Sequence, residues 1–300
     1  MGIRHSCIVV ALGAAVFAGP AIAEIKHPEH DAIVAKMKAM GGEWDLPMAT
    51  LKQRAAAGDL RAMFALALMY QSGLKGLKQS FAEAERLNRR IIQLATARAA
   101  SDPYAAYQVA LQRSLLEGWS DERRFAAYLA AAQAGSPQAA ERVGWAYFFG
   151  RGVRMDKAEA LRWYRIAAAG GYCDAIRDLG HIFGGSDAGE PDIAEAVRWY
   201  RIAAEDDSGC GNAAAYYLAG FYSKGVGNVQ RDYGEALKWY LETARRGNPV
   251  GAMQIGFYYE KGLGTPVNKA EALKWFKIAG FNSVAAARAE LKRLGVPEPE

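Results

Sequence analysis

The chain has 300 residues, 51% of them apolar, with 37 Lys and Arg against 32 Asp and Glu for a net charge of +5. That length can bury a large core, and the charges are interspersed through it, which excludes a membrane bundle. The excess of positive charge is too mild for a nucleic-acid binder, which needs basic residues clustered on one face.

Residues 1–23 form a distinct segment: Arg4, an apolar run CIVVALGAAVFAG at 7–19, and small residues Ala21 and Ala23 ahead of Glu24. This pattern predicts a secretory signal cleaved near Ala23, and so a periplasmic or secreted protein. About 13 apolar residues are too few to span a bilayer. Cys7 opens the apolar run and is misplaced for lipid attachment. Loss of Arg4 would leave 36 basic and 32 acidic residues, a net +4. No second apolar run of spanning length follows, so no membrane insertion is expected after cleavage.

Residues 24–57 are expected to cap the fold, with a lone helix and a degenerate second one around Leu51. His27-Pro-Glu-His30 lies at the start of this segment. A metal site wants four ligands on a fixed element, so a solvated tail and no metal are expected here.

From residue 58 the chain repeats. The phrase ALRWYRIAAAGG at 160–171 returns as AVRWYRIAAEDD at 196–207, and again around Trp239 and Trp275. Leu51, Leu87 and Ala127 hold the Trp position earlier, giving a ladder at 51, 87, 127, 163, 199, 239 and 275 with steps of 36 or 40. A period of this size is the signature of a stacked array. Apolar residues three and four apart make both halves of each unit helical. The expected units are 58–100, 101–135, 136–171, 172–207, 208–247 and 248–282, followed by a capping helix at 283–294 and a tail at 295–300.

In the first half, an apolar residue is followed by a small one, Gly144, Gly180, Ala219 or Gly256, and an aromatic three further on. The small residue predicts close approach of a neighbouring helix. Gly-x-Gly turns end the half; no strand precedes them and no GKS or GKT follows, so they do not make a phosphate cradle. The second half opens on Ser80, Asp156, Asp192, Asp232 or Asn268 with Glu three residues on, which predicts capping boxes; Ser120 departs, with Arg123 in the Glu place.

These features resemble the Sel-one-like repeat, a cousin of the tetratricopeptide repeat, most closely over about 136–282. The resemblance implies an all-α, right-handed α/α solenoid superhelix with first helices on the concave face. It also implies a non-catalytic adaptor for a protein partner. Secreted bacterial members include regulators of envelope processes and immunity proteins that neutralise toxins, and a cysteine-rich branch has been linked to penicillin binding.

Aromatics at identical phase, such as Trp163 and Trp199, are assigned to packing between helices. Function is sought where the units differ. Two positions after the shared apolar residue stand Leu68, Arg113, Trp145, His181, Gly220 and Phe257; two before it stand Phe64, Val109, Glu141, Arg177, Tyr216 and Met253. The expected partner-binding stripe is Trp145, Phe148, His181, Tyr216, Met253 and Phe257, edged by Glu141 and Arg177. A monomer holding one protein partner in the groove is expected, with no cofactor, no nucleic acid and no catalytic residue. A glycan-binding stripe is the competing use of the same aromatics. Ser72-Gly-Leu-Lys75 matches Ser-x-x-Lys of penicillin-recognising enzymes but lacks their companion motifs. Finally, antiparallel helices in unit four bring Cys173 and Cys210 to neighbouring ends, which predicts a disulfide between them.

Overall fold

The computed structural model describes residues 46–185, 191–206, 209–281 and 285–295. The expected signal, His27, His30, the expected lone helix ahead of the one around Leu51, and the last five tail residues lie outside the described residues. Among those described are fourteen α-helices and no strand. Helix α1 (Met48–Ala56), around Leu51, precedes six pairs: α2 (Leu60–Ser72) with α3 (Phe81–Thr96), α4 (Pro103–Leu116) with α5 (Asp121–Gln133), and α6 (Pro137–Phe149) with α7 (Lys157–Ala169). Then follow α8 (Cys173–Gly184) with α9 (Ile193–Ala204), α10 (Gly209–Lys224) with α11 (Tyr233–Arg245), α12 (Pro249–Lys261) with α13 (Lys269–Phe281), and a last α14 (Ala285–Arg293). Each helix packs on its chain neighbours, and first helices also meet across units, α4 with α6 and α8 with α10. The architecture is an α/α solenoid.

Helix starts are written locally. Ser80, Asp156, Asp192, Asp232 and Asn268 each accept the backbone N–H three residues on, at 3.0–3.3 Å. Such a cap satisfies a donor that the helix itself leaves orphaned, which is worth about 1 kcal/mol. Ser120 caps α5 in the same way, accepting from the Arg123 N–H at 3.4 Å, because the bond needs only a backbone donor. The glutamates of the boxes are used differently from expectation. Glu83, Glu159, Glu195, Glu235 and Glu271 each pair with a base three residues on, Arg86, Arg162, Arg198, Lys238 and Lys274.

The repeated phrase packs through its second aromatic. A Cβ placed on Gly180 would lie 2.6 Å from the Tyr200 ring, and one on Gly256 2.5 Å from Phe276; at Gly144 the nearest Tyr164 ring atom is at 3.2 Å. Tyr164, Tyr200, Tyr240 and Phe276 are all buried, whereas the preceding Trp is buried at Trp163 and Trp199 and only half-buried at Trp239 and Trp275. The small residue of the first half is therefore the seat of the ring from its own unit's second helix. Glycine also sets the approach of one unit to the last: a Cβ on Gly152 would fall 2.2 Å from the Asp121 carbonyl oxygen, and one on Gly264 2.4 Å from the Tyr233 carbonyl carbon.

The core is interrupted in unit two. One cluster runs from Leu51 to Ala105 and another from Tyr107 to Tyr258. Near this boundary α4 buries Gln108 and Gln112, which hydrogen-bond each other at 3.2 Å while Gln108 donates to the Tyr104 hydroxyl at 2.8 Å.

Two alanine substitutions should separate packing from helix propensity. Gly180→Ala forces Tyr200 to move and should destabilise by about 1–3 kcal/mol, the usual cost of overpacking. Gly220→Ala, with nothing within 4 Å of the new methyl, should stabilise by about 0.5–1 kcal/mol. Urea unfolding followed by circular dichroism measures both.

Candidate protein-binding face

The first helices carry the variable side chains outward. Leu68, Arg113, Trp145, His181, Gly220 and Phe257 all keep some exposure, while the apolar residues two positions before them are buried except for half-buried Leu111. The row is thus set by helical phase: the apolar residue points into the core and the residue two on points away from it.

Within this row the expected stripe resolves into separate patches. Trp145, 40% exposed, and half-buried Phe148 both pack on Phe149, with ring centroids 5.2 and 5.0 Å from it. Between α8 and α10, the His181 ring stands edge-on to Tyr217 at 4.5 Å, and its Nδ1 hydrogen-bonds the Tyr200 hydroxyl at 2.9 Å. Burial, reinforced by the nearby Arg177 charge, pushes the His181 imidazole below its ordinary pKa. Tyr216 packs edge-on to Tyr240 at 5.7 Å. Met253 leans on Ala252 and Ala279, and Phe257 on Phe276 at 5.1 Å, so both spend part of their surface on α13 rather than in the groove.

Glu141 does not edge the groove. It is 5% exposed, at 3.3 Å from Arg142, and one of its carboxylate oxygens has no hydrogen-bond partner. Burial is the largest influence on it, and with the nearby Asp178 and Asp174 charges it outweighs Arg142, pushing the carboxyl up to about 7. Arg177 is half-buried and pinned by Asp174 at 2.7 Å and Asp178 at 2.8 Å, which leaves little of its charge for a ligand.

The row also carries residues that the pattern reading missed. Tyr217 is 41% exposed and Phe149 56%. Tyr217 lies three residues before Gly220, on the same helix face, and Phe149 four after Trp145; the i, i+3 and i, i+4 rule was the signal that places them.

Cys173 and Cys210 are joined, with Sγ–Sγ 2.11 Å and Cα–Cα 6.2 Å. The bridge ties the first turn of α8 to the first turn of α10. Tyr172 ahead of α8 makes no capping side-chain bond, so the bridge anchors a helix start that lacks a side-chain cap. Beside it the Arg246 guanidinium donates to the carbonyls of Ala204 and Asp206 at 2.7 and 2.6 Å, fastening the loop that the 40-residue spacing creates. Ser72, exposed at the end of α2, and Lys75, whose amine donates to the Leu46 carbonyl at 3.4 Å, belong to the turn of unit one.

Residues 60–87, 137–172, 173–208, 212–248 and 249–280, more than half of the chain, match the model of the Sel1 repeat. A chitin synthase regulator, SKT5 of Saccharomyces cerevisiae, is 29% identical over 133 residues, which are 43% of this chain. The chain spans 18% of that relative's length. Among solved structures, c5321, a protective antigen of uropathogenic Escherichia coli strains with an SLR fold, is similar at TM-score 0.60 and 25% identity over 85% of this chain and 54% of that one. A Sel1 repeat protein from Oxalobacter formigenes gives TM-score 0.56 at 22% identity, over 93% and 98%. Immunity protein Pa5087 from Pseudomonas aeruginosa gives 0.51 at 18%, over 74% and 84%.

The buried Glu141 makes stability depend on pH. A carboxyl whose folded pKa lies above its unfolded value of 4.5 contributes stability below 4.5 that is lost as pH rises towards about 7. Glu141→Gln should remove this loss, gaining about 1–3 kcal/mol on the unsubstituted protein between pH 4.5 and 7.5. Paired urea titrations across that range measure the difference, in which the opposite trend of His181 cancels.

Proposed function

Since the chain belongs to the Sel1 repeat family, we propose that it is a non-catalytic scaffold that holds a protein partner on the outward face of its first helices. The supporting observation is the contrast between the two helices of a unit. Second helices spend their repeated aromatics on the core, and first helices present Trp145, Phe149 and Tyr217 at 40–56% exposure. Large aromatics exposed next to a rigid core are the side chains from which interface hot spots are built. A preformed solenoid spends little ordering entropy on binding, so such anchors can be used at nearly full effect.

The proposed place of work is the periplasm, after removal of residues 1–23, with the protein a monomer acting on an envelope process. The signal-like start and a bridged cysteine pair support an oxidising compartment. Neutralisation of a toxin would use the same face; the likeness to an immunity protein speaks for the fold alone, so regulation through a bound partner is the primary reading.

Crosslinked capture of partners from the periplasm tests this surface. The Trp145→Ala, Tyr217→Ala double variant should recover about tenfold less partner than the unsubstituted protein. Unchanged recovery overturns the choice of face, and the identity of the captured protein separates a regulator from a toxin inhibitor. Reduction of the Cys173–Cys210 bridge should cost about 3–4 kcal/mol of stability, the loop-closure entropy of its 37-residue separation. Unfolding with and without dithiothreitol measures that cost, and mass spectrometry of the non-reduced protein isolated from cells reports whether the bridge forms there.

A further inference from the structure

A pocket of about 470 Å³ opens between α4, α5 and α6, at the junction of units two and three. Buried Ser114 lines it, together with Leu115 at 65% and Trp145 at 40% exposure. Such a volume falls in the range of about 300–1,000 Å³ that holds small ligands or a few side chains.

The charges around it are unequal. Arg124, Arg142 and Arg151 line the pocket against the single carboxylate of Asp121. Asp121 serves two of them, hydrogen-bonding Arg124 and lying 3.9 Å from Arg151. Arg142 has Glu141 at ion-pair distance, yet its Nε makes no hydrogen bond. An uncharged occupant would strip water from these guanidiniums without replacing its hydrogen bonds, and a basic one would be repelled. Carboxylates would answer both costs, since they match the planar fork of arginine. An apolar group beside them is called for by Trp145 and Leu115, which otherwise face water.

We propose that this pocket takes an acidic segment of the protein partner, seating one large apolar side chain against Trp145 and Leu115 while flanking carboxylates pair with Arg124, Arg142 and Arg151. This rests on the scaffold reading above and assigns the chemistry of the segment that such a partner presents.

The test is fluorescence anisotropy with a labelled, amide-capped peptide in which Asp-Glu flanks a central Phe on both sides, between glycines. The acidic peptide should bind, and its Asn-Gln analogue and its Phe→Ala analogue should each bind about tenfold more weakly. Affinity should fall as salt rises. The Arg124→Gln, Arg151→Gln double variant changes only exposed side chains, so its helix content should be unaltered; it should lose about tenfold in affinity, as should Trp145→Ala. Arg142→Gln should show the same loss, with circular dichroism reporting whether it stays folded. Absence of binding by the acidic peptide, equal binding by the Asn-Gln analogue, or undiminished binding by the double arginine variant overturns the pocket. Partner capture that depends on Tyr217 would survive any of those outcomes, so the pocket can fail while the scaffold reading stands.

Discussion

The solenoid depends on one recurring contact, the ring of a second-helix aromatic resting on a first-helix residue too small to hold it off. Tyr200 over Gly180 and Phe276 over Gly256 leave no room even for a methyl group. A glycine in a helix interior costs about 1 kcal/mol in propensity. That cost is recovered because the ring is wholly withdrawn from water and fills a close-packed seat. The contact fixes the spacing of the two helices in a unit. A second glycine, at the end of the Gly-x-Gly turn, then sets one unit against its predecessor: Gly152 on the Asp121 backbone, Gly264 on that of Tyr233. With both distances determined by backbone against backbone or ring, the array has little freedom in how its units stack. The outward row of first-helix side chains inherits its geometry from these glycines.

Most of this was legible in the sequence because repetition makes the same physical choice several times. Caps at Ser80, Asp156, Asp192, Asp232 and Asn268 read correctly, since an N-cap depends on the next three residues and on nothing distant. The antiparallel run of α8 and α9 accounts for the nearness of Cys173 and Cys210, which the structure places 6.2 Å apart at Cα. Glu141 misread, because a charged residue at a variable first-helix position is normally solvated, and only the three-dimensional junction of α6 with its neighbours closes over it. Tyr217 and Phe149 fall outside the two positions per helix on which the rows rest: Phe149 lies one turn beyond Trp145 and Tyr217 three residues before Gly220, both on the same face. Gln108 and Gln112 carry no local signal at all. Their burial follows from the amide chain they form with Tyr104, a tertiary pairing that periodicity does not encode.

The buried charges are concentrated near one place, the neighbourhood of α6 and α8, where Glu141, Arg142, Arg177 and Asp178 meet. Burial raises Glu141 and Asp178 above the usual carboxylate range, so this cluster weakens the fold at neutral pH relative to an apolar one. The bridge at Cys173 offsets such a cost from the start of the same helix, by constraining the unfolded chain rather than by adding contacts. Units three and four are thus held by both strong packing, through Tyr164 and Tyr200, and a covalent tie just beyond, while carrying polar groups that packing alone would reject.

The irregular unit is where recognition has room to develop. A regular array presents a regular surface, since each junction repeats the last. Unit two departs: Ala127 stands where units three to six carry Trp, Arg123 follows the Ser120 cap where the other boxes carry Glu, and glutamines occupy the interior of α4. The pocket lies against this unit, and its arginines come from both sides of the junction, Arg124 from α5 and Arg142 from α6. Weakening the repeat in one unit therefore gives up some core to obtain concavity and charge. Because unit three keeps the ring-on-small-residue seat of Tyr164 on Gly144, the walls supplied by α6 stay fixed while those supplied by unit two are free to differ in sequence. A binding site at the edge of a rigid array combines a fixed side that positions a ligand with a variable side that selects it.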